Sequence, residues 1–123
     1  MSNAATDSNI NPIGLPERSN VTVSSVSLNF FGTRSNQVLL IGQFSVDTEN
    51  AAGGGVVATI LVNGRTATNT QVNNLQGNTG TLLSLSGVVT VGPGKGTFDL
   101  QASVFNMPSA SVHHRTITAV SLD

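Results

Sequence analysis

The stretch VVATILVNGRTATNTQV, residues 56–72, decides the fold class of this chain. Val56, Ala58, Ile60 and Val62 alternate with their neighbours, which is the period of two expected for a β-strand with one buried face. An Asn-Gly pair follows at once, and it favours a tight type I′ turn because both residues tolerate positive φ. The stretch therefore predicts an antiparallel hairpin with its turn at residues 63–64.

Apolar runs and turn residues continue to alternate on both sides of this hairpin. Runs of Val, Ile, Leu, Thr and Phe are separated by clusters of Gly, Asn and Pro, and no window has the 3, 4, 7 spacing of an amphipathic helix. Seven strands are predicted, at residues 21–31, 37–47, 55–63, 65–73, 80–91, 96–105 and 110–122. This density of strands predicts an all-β fold, an antiparallel β-sandwich of the jelly-roll type, with almost no helix.

The predicted core follows from the alternation. One face of the second strand carries Val38, Leu40, Phe44 and Val46, and one face of the sixth carries Phe98, Leu100, Ala102 and Val104. Phe30 or Phe31 is expected in the core as well, with Asp99 pointing outward. The apolar parity changes between Val23 and Val26, which predicts a bulge or a bend. Further turns are predicted at residues 92–96 and 107–109.

The first twenty residues have a different composition. They are rich in Asn, Ser and Pro, and Pro12, Gly14 and Pro16 are spaced so that neither a helix nor a strand should propagate. We therefore predict a flexible arm at residues 1–20 and one β-sandwich domain at residues 21–123. The arm lacks the basic start and the apolar run of a secretory signal, and no stretch approaches the ~20 apolar residues of a membrane helix. Localisation is left open, and no membrane insertion is expected.

The amino-acid composition argues against several classes of function. The chain of 123 residues has no Cys, which excludes disulfides, thiolate metal sites and a Cys nucleophile. Charged residues make up only 9%, where about 25% is typical, and the formal net charge is -1. The five cations are scattered along the sequence, so nucleic-acid binding is not expected: Arg18, Arg34, Arg65, Lys95 and Arg115. A near-neutral surface offers little repulsion between copies, which favours self-association.

The sequence contains no recognisable catalytic or cofactor motif. Asp47, Glu49 and Asp99 are the acids of the predicted sandwich, too sparse for a converging carboxylate pair. No Gly-x-Ser-x-Gly elbow is present. Gly53-Gly54-Gly55 lacks the Lys and the helix of a phosphate loop, so we predict that these three glycines form a flexible connection. We predict no enzyme activity, no catalytic residues and no cofactor.

Two patterns in the sequence contain residue types that bind metals. His113 and His114 are neighbours on a strand and should project to opposite faces, so they should not chelate one ion within a subunit, although one His from each subunit could meet on a symmetry axis. Asp47 and Glu49 near Asn50 could offer oxygens to Ca²⁺, but a solvated loop suits this low acidic density better. No metal is predicted.

The last strand is apolar on both faces. Ile117 and Ala119 face one way, and Val120 and Leu122 face the other, so one set should meet another layer or another subunit. We expect an oligomer interface that involves the last strand and parts of residues 80–91. Its predicted residues are Ile117, Val120, Leu122 and His114.

Three segments resemble bacterial tumour-necrosis-factor-like, or complement-head-like, trimeric jelly-roll domains. They are VLLIGQFSV (38–46), GPGKGTFDLQASV (92–104) and RTITAVSL (115–122). Domains of this kind occur on exosporium proteins of spores, surface filaments and phage or virion appendages. The resemblance implies a homotrimer that presents a surface, although the Trp and Tyr that commonly fill the trimer axis are absent.

Two functions follow as hypotheses. The first is a non-enzymatic structural or surface-presentation domain that self-assembles, as a homotrimer, on a spore coat, surface filament or virion-like particle, where other surface-layer proteins are possible partners. The alternative is a lectin-type module that binds a glycan through loop Asn and Asp side chains, since lectins often use jelly rolls.

Overall fold

The computed structural model describes residues 3–107 and 109–122. Seven strands follow one another, and no helix occurs in the described ranges, hence none long and apolar enough to cross a membrane. The strands are β1 (Ala4–Asn9), β2 (Ile13–Gly14), β3 (Val21–Phe30), β4 (Asn36–Val62), β5 (Arg65–Val91), β6 (Gly94–Phe105) and β7 (Ser109–Ser121). All of them pair antiparallel, which confirms the predicted fold class.

Strands β4 and β5 each belong to both layers of the sandwich. The first layer has the order β1, β7, the first half of β4 and the second half of β5. The second layer has the order β3, β6, the second half of β4 and the first half of β5. Four of the predicted strands are therefore halves of two strands that are each 27 residues long.

The core lies between the two layers and contains the predicted faces. Val38, Leu40, Phe44 and Val46 of β4 are fully buried, and so are Phe98, Leu100, Ala102 and Val104 of β6. Phe30 is buried while Phe31 is exposed, and Asp99 points away from the core and accepts a hydrogen bond from Ser25. Each large apolar side chain buried in this way contributes roughly 1.5–3 kcal/mol of stabilisation.

Both predicted backbone irregularities are confirmed. Asn63 has φ 49° and Gly64 has φ 84°, as a type I′ turn requires, and the turn joins Val62 to its cross-strand partner Arg65. In β3 the pairing register shifts between Thr22 and Ser24, where the apolar parity changes. The turn predicted at residues 107–109 includes Pro108, which lies outside the described residues.

The amino-terminal segment differs from the predicted flexible arm. Strand β1 pairs with β7 over six residues, and Leu15 is buried in the core. The carboxylate of Asp7 accepts hydrogen bonds from the hydroxyl of Ser24 at 2.6 Å and from the backbone N–H of Ser25 at 3.3 Å. Because these bonds tie β1 to β3, the segment closes one side of the sandwich.

The three glycines of β4 also differ from the prediction of a flexible connection. They lie inside a continuous strand where it passes from one layer to the other, and Gly54 and Gly55 are buried. A Cβ on Gly54 would stand closer than 3.0 Å to backbone atoms of Phe105 and Asn106. Glycine is required here because the strand crosses against the end of β6.

Candidate functional site

The outward side of the first layer carries an apolar surface, which we call the apolar face. Leu39 of β4 lies between its cross-strand partners Val120 of β7 and Val88 of β5. Ile41 follows on the same side of β4 and is 43% exposed, while Val88 is 56% exposed. Six side chains make up this face: Leu39, Ile41, Leu82, Val88, Val120 and Leu122.

Polar side chains surround the apolar face, and few of them are charged. Hydroxyl pairs bridge β1 and β7 on this side, at Thr6 with Thr118 and at Ser8 with Thr116. Asp47 lies where the first half of β4 ends, beside Leu82 at the edge of the apolar face, and it pairs with His113. A second subunit could therefore cover the part of the apolar face around Leu39 while desolvating little charge.

The structure divides the four predicted interface residues. Val120 is half-buried and Leu122 is 51% exposed, both on the apolar face, and His114 is exposed. Ile117 is completely buried in the core of its own subunit, next to Ala119, which is also completely buried. Ile117 therefore cannot contact a second subunit in this packing, and the two-faced strand divides as its alternation predicts.

A polar cluster lies at one end of this layer. The Nε2 atom of His113 is 3.0 Å from Oδ2 of Asp47 and 3.1 Å from Oγ of Ser111. A cavity of about 450 Å³ opens beside it, lined by Ser45, Asp47, Gly80, Thr81, Leu82, His113 and His114.

The two histidines do not project to opposite faces as predicted, since both line this cavity. His114 has φ 47°, and the register between β7 and β4 shifts opposite this point, between Gln43 and Ser45. The bulge breaks the period of two and turns both rings to one side. Sequence reasoning missed it because neither Gly nor Pro marks the position.

The cluster does not have the geometry of a nucleophilic triad. In such a triad the serine and the carboxylate contact opposite ring nitrogens, so that one can give up a proton while the other orients the ring. Here Ser111 and Asp47 both contact Nε2 of His113, so the serine has no base of its own. Among the described residues no three His, Asp or Glu side chains group as metal ligands would.

Arg115 is a buried charged residue whose burial the sequence did not predict. It is 7% exposed, and one guanidinium nitrogen donates a hydrogen bond to the backbone oxygen of Asn11. Its Nε atom is buried without a partner, and no carboxylate forms an ion pair with it among residues 3–107 and 109–122. The guanidinium holds the segment before β2 against β7, at the cost of a buried charge.

Comparisons with known proteins give the fold and little else. No protein-family model matches the chain, and no curated protein sequence matches it. Among solved structures, the Eiger TNF of S. frugiperda is similar with a TM-score of 0.64 at 10% identity, covering 98% of this chain and 92% of that one.

Two further structures show the range of proteins that share this architecture. The infectious bursal disease virus Gt strain structure has a TM-score of 0.59 at 14% identity, covering 95% of this chain, which spans 33% of that one. The C-terminal domain of EclA, described as a sugar-binding protein, has a TM-score of 0.52 at 9% identity, covering 90% of this chain and 79% of that one. At such identities the likeness shows a jelly-roll fold shared by proteins of different function.

Proposed function

We propose that this chain is a non-enzymatic structural domain that assembles with copies of itself as a homotrimer. It would act as a surface-presentation unit of a spore coat, a surface filament or a virion-like particle. The apolar face carries this proposal, because a sheet exposing several neighbouring aliphatic side chains is stabilised when a second subunit covers it.

Two further observations support self-assembly over an unrelated partner. With 9% charged residues and a net charge of -1, two copies repel each other weakly. The side chains of the apolar face are neighbours across three strands, β7, β4 and β5, so they form a continuous uncharged surface that suits another like itself. The number three rests on the resemblance of residues 38–46, 92–104 and 115–122 to trimeric tumour-necrosis-factor-like domains.

Light scattering at micromolar concentration tests the assembly. We expect a mass three times the 12.6 kDa of one chain. In Val120→Asp, a charge would be buried in the interface, which costs several kcal/mol, so folded monomers should result. Val57→Asp is the matched control, because Val57 is half-buried on the outward side of the second layer.

The outcomes of these measurements distinguish the proposed interface from its alternatives. A monomeric unmodified protein would contradict the proposal, and so would a Val120→Asp variant that keeps the trimer mass with unchanged circular dichroism. Dissociation by Val57→Asp alone would move the interface to the second layer.

Glycan binding is the second candidate function. It is favoured by the likeness to the C-terminal domain of EclA, described as a sugar-binding protein, and by the open polar cavities at the edges of the layers. A glycan array and a mass measurement on the same sample discriminate between the two functions. A monomer that binds a glycan would favour the second.

A further inference from the structure

A cavity of about 550 Å³ lies where the two layers separate beside the Asn63-Gly64 turn. The start of β5 belongs to the second layer and its end to the first, so the two ends of one strand form opposite walls. The lining residues are Val62, Asn63, Arg65, Thr66, Ala67, Val89, Thr90, Val91 and Gly92. This volume lies within the usual range of about 300–1,000 Å³ for small-molecule sites.

The Asn63-Gly64 turn, which contributes Asn63 to the lining of the cavity, is fixed to β6. The backbone N–H of Asn63 donates to the oxygen of Thr97 at 2.8 Å, and the N–H of Thr97 donates to Oδ1 of Asn63, also at 2.8 Å. These bonds fasten the turn to β6, so a ligand would meet a wall that is already formed. The side-chain amide nitrogen of Asn63 keeps its donor hydrogens.

The charge of the lining residues indicates which class of ligand the cavity can bind. Arg65 is the charged residue among those that line it, and no carboxylate lies in the lining. In the described part of the chain the ion pairs join Arg18 to Glu17 and His113 to Asp47, so Arg65 has no acidic partner. A guanidinium presents paired donors that match a carboxylate.

The other lining residues suit a ligand whose ring is polar but has one apolar edge. Val62 and Val89 are partly exposed and give aliphatic contact, while the hydroxyls of Thr66 and Thr90 can donate or accept hydrogen bonds. No aromatic side chain lines the cavity to stack on a neutral sugar, so its affinity must come from the charge.

We propose that this cavity binds a carboxylate-bearing saccharide of one or two units, with Arg65 as the partner of the carboxylate. The proposal goes beyond assembly and gives the glycan-binding alternative a site and a ligand class. It involves none of the side chains of the apolar face.

Amide chemical shifts in a ¹⁵N-labelled sample provide the test, with sodium glucuronate, glucose and sodium propionate as separate probes. Glucuronate should shift the amides of residues 65–67 and 89–92 and saturate at low millimolar concentration. Glucose has the ring without the charge, and propionate has the charge without the ring. Each should bind at least about tenfold more weakly than glucuronate.

Arg65→Gln should raise the dissociation constant for glucuronate about tenfold or more, and Arg34→Gln, at another exposed arginine, should leave it unchanged. Unchanged shifts elsewhere would show that Arg65→Gln folds normally. The proposal is overturned if glucuronate leaves these amides unmoved, if glucose or propionate binds equally well, or if Arg65→Gln binds as the unmodified protein does. Light scattering on the same samples reports the trimer independently.

Discussion

Gly54→Ala should destabilise the domain far more than its single added methyl group suggests. The new Cβ would stand closer than 3.0 Å to backbone oxygens of both Phe105 and Asn106. A flexible side chain could move aside, but these are backbone atoms, and Phe105 is held by its pairing with Gly55. Overpacking typically costs about 1–3 kcal/mol, and a clash with paired backbone belongs at the upper end, about 3 kcal/mol.

Thermal unfolding followed by circular dichroism measures this cost. For a chain of this length, a loss of about 3 kcal/mol lowers the melting temperature by about 10 °C. Gly92→Ala is the matched control, because a Cβ there meets no atom within 4 Å and φ is not positive. Equal melting temperatures for Gly54→Ala and Gly92→Ala would refute the close approach of β4 to the end of β6.

Three other substitutions test separate parts of the structure. Gly64→Val places a β-branched residue at φ 84° and should cost about 1–3 kcal/mol, measured by urea unfolding; an unchanged midpoint would contradict the strained position. Ile117→Asp puts a charge into a fully buried site and should abolish the folded circular dichroism spectrum, whereas a folded variant would disprove its core position. Arg115→Met removes a buried charge that has no acidic partner and keeps most of the aliphatic bulk, so it should raise the free energy of unfolding by about 1–2 kcal/mol. A fall of about the same size in the free energy of unfolding would show instead that the hydrogen bond to Asn11 dominates.

The sheet faces and the hairpin could be predicted because local chemistry decides them. Side chains alternate between the two faces of a strand, so the alternating apolar residues of 38–46 lie on one face of their strand, and those of 98–104 lie on one face of theirs. Positive φ at Asn63 and Gly64 follows from the preference of these two residue types. Neither conclusion requires knowledge of where the rest of the chain lies.

The differences arise where distant segments meet. Residues 4–9 have no strong strand pattern, and they are ordered because β7 offers them a free edge and Ser24 offers Asp7 a donor. Gly54 looks like part of a flexible segment until the end of β6 is placed against it. The Arg65 cavity is likewise formed by two segments, residues 62–67 and 89–92, that are distant in the sequence, so sequence spacing alone could not bring them together.

Strand β5 contributes residues to both of the proposed surfaces. Val88 belongs to the apolar face and is 56% exposed, while Val89, the next residue, lines the cavity of Arg65. Because neighbouring side chains of a strand point to opposite faces, Val89 faces away from a subunit that covers Val88, whereas Thr90, which also lines the cavity, lies on the same side as Val88. Assembly would place copies of the cavity at symmetry-related positions, and a polymeric acidic saccharide that engages more than one of them would be held with an avidity that a single subunit lacks.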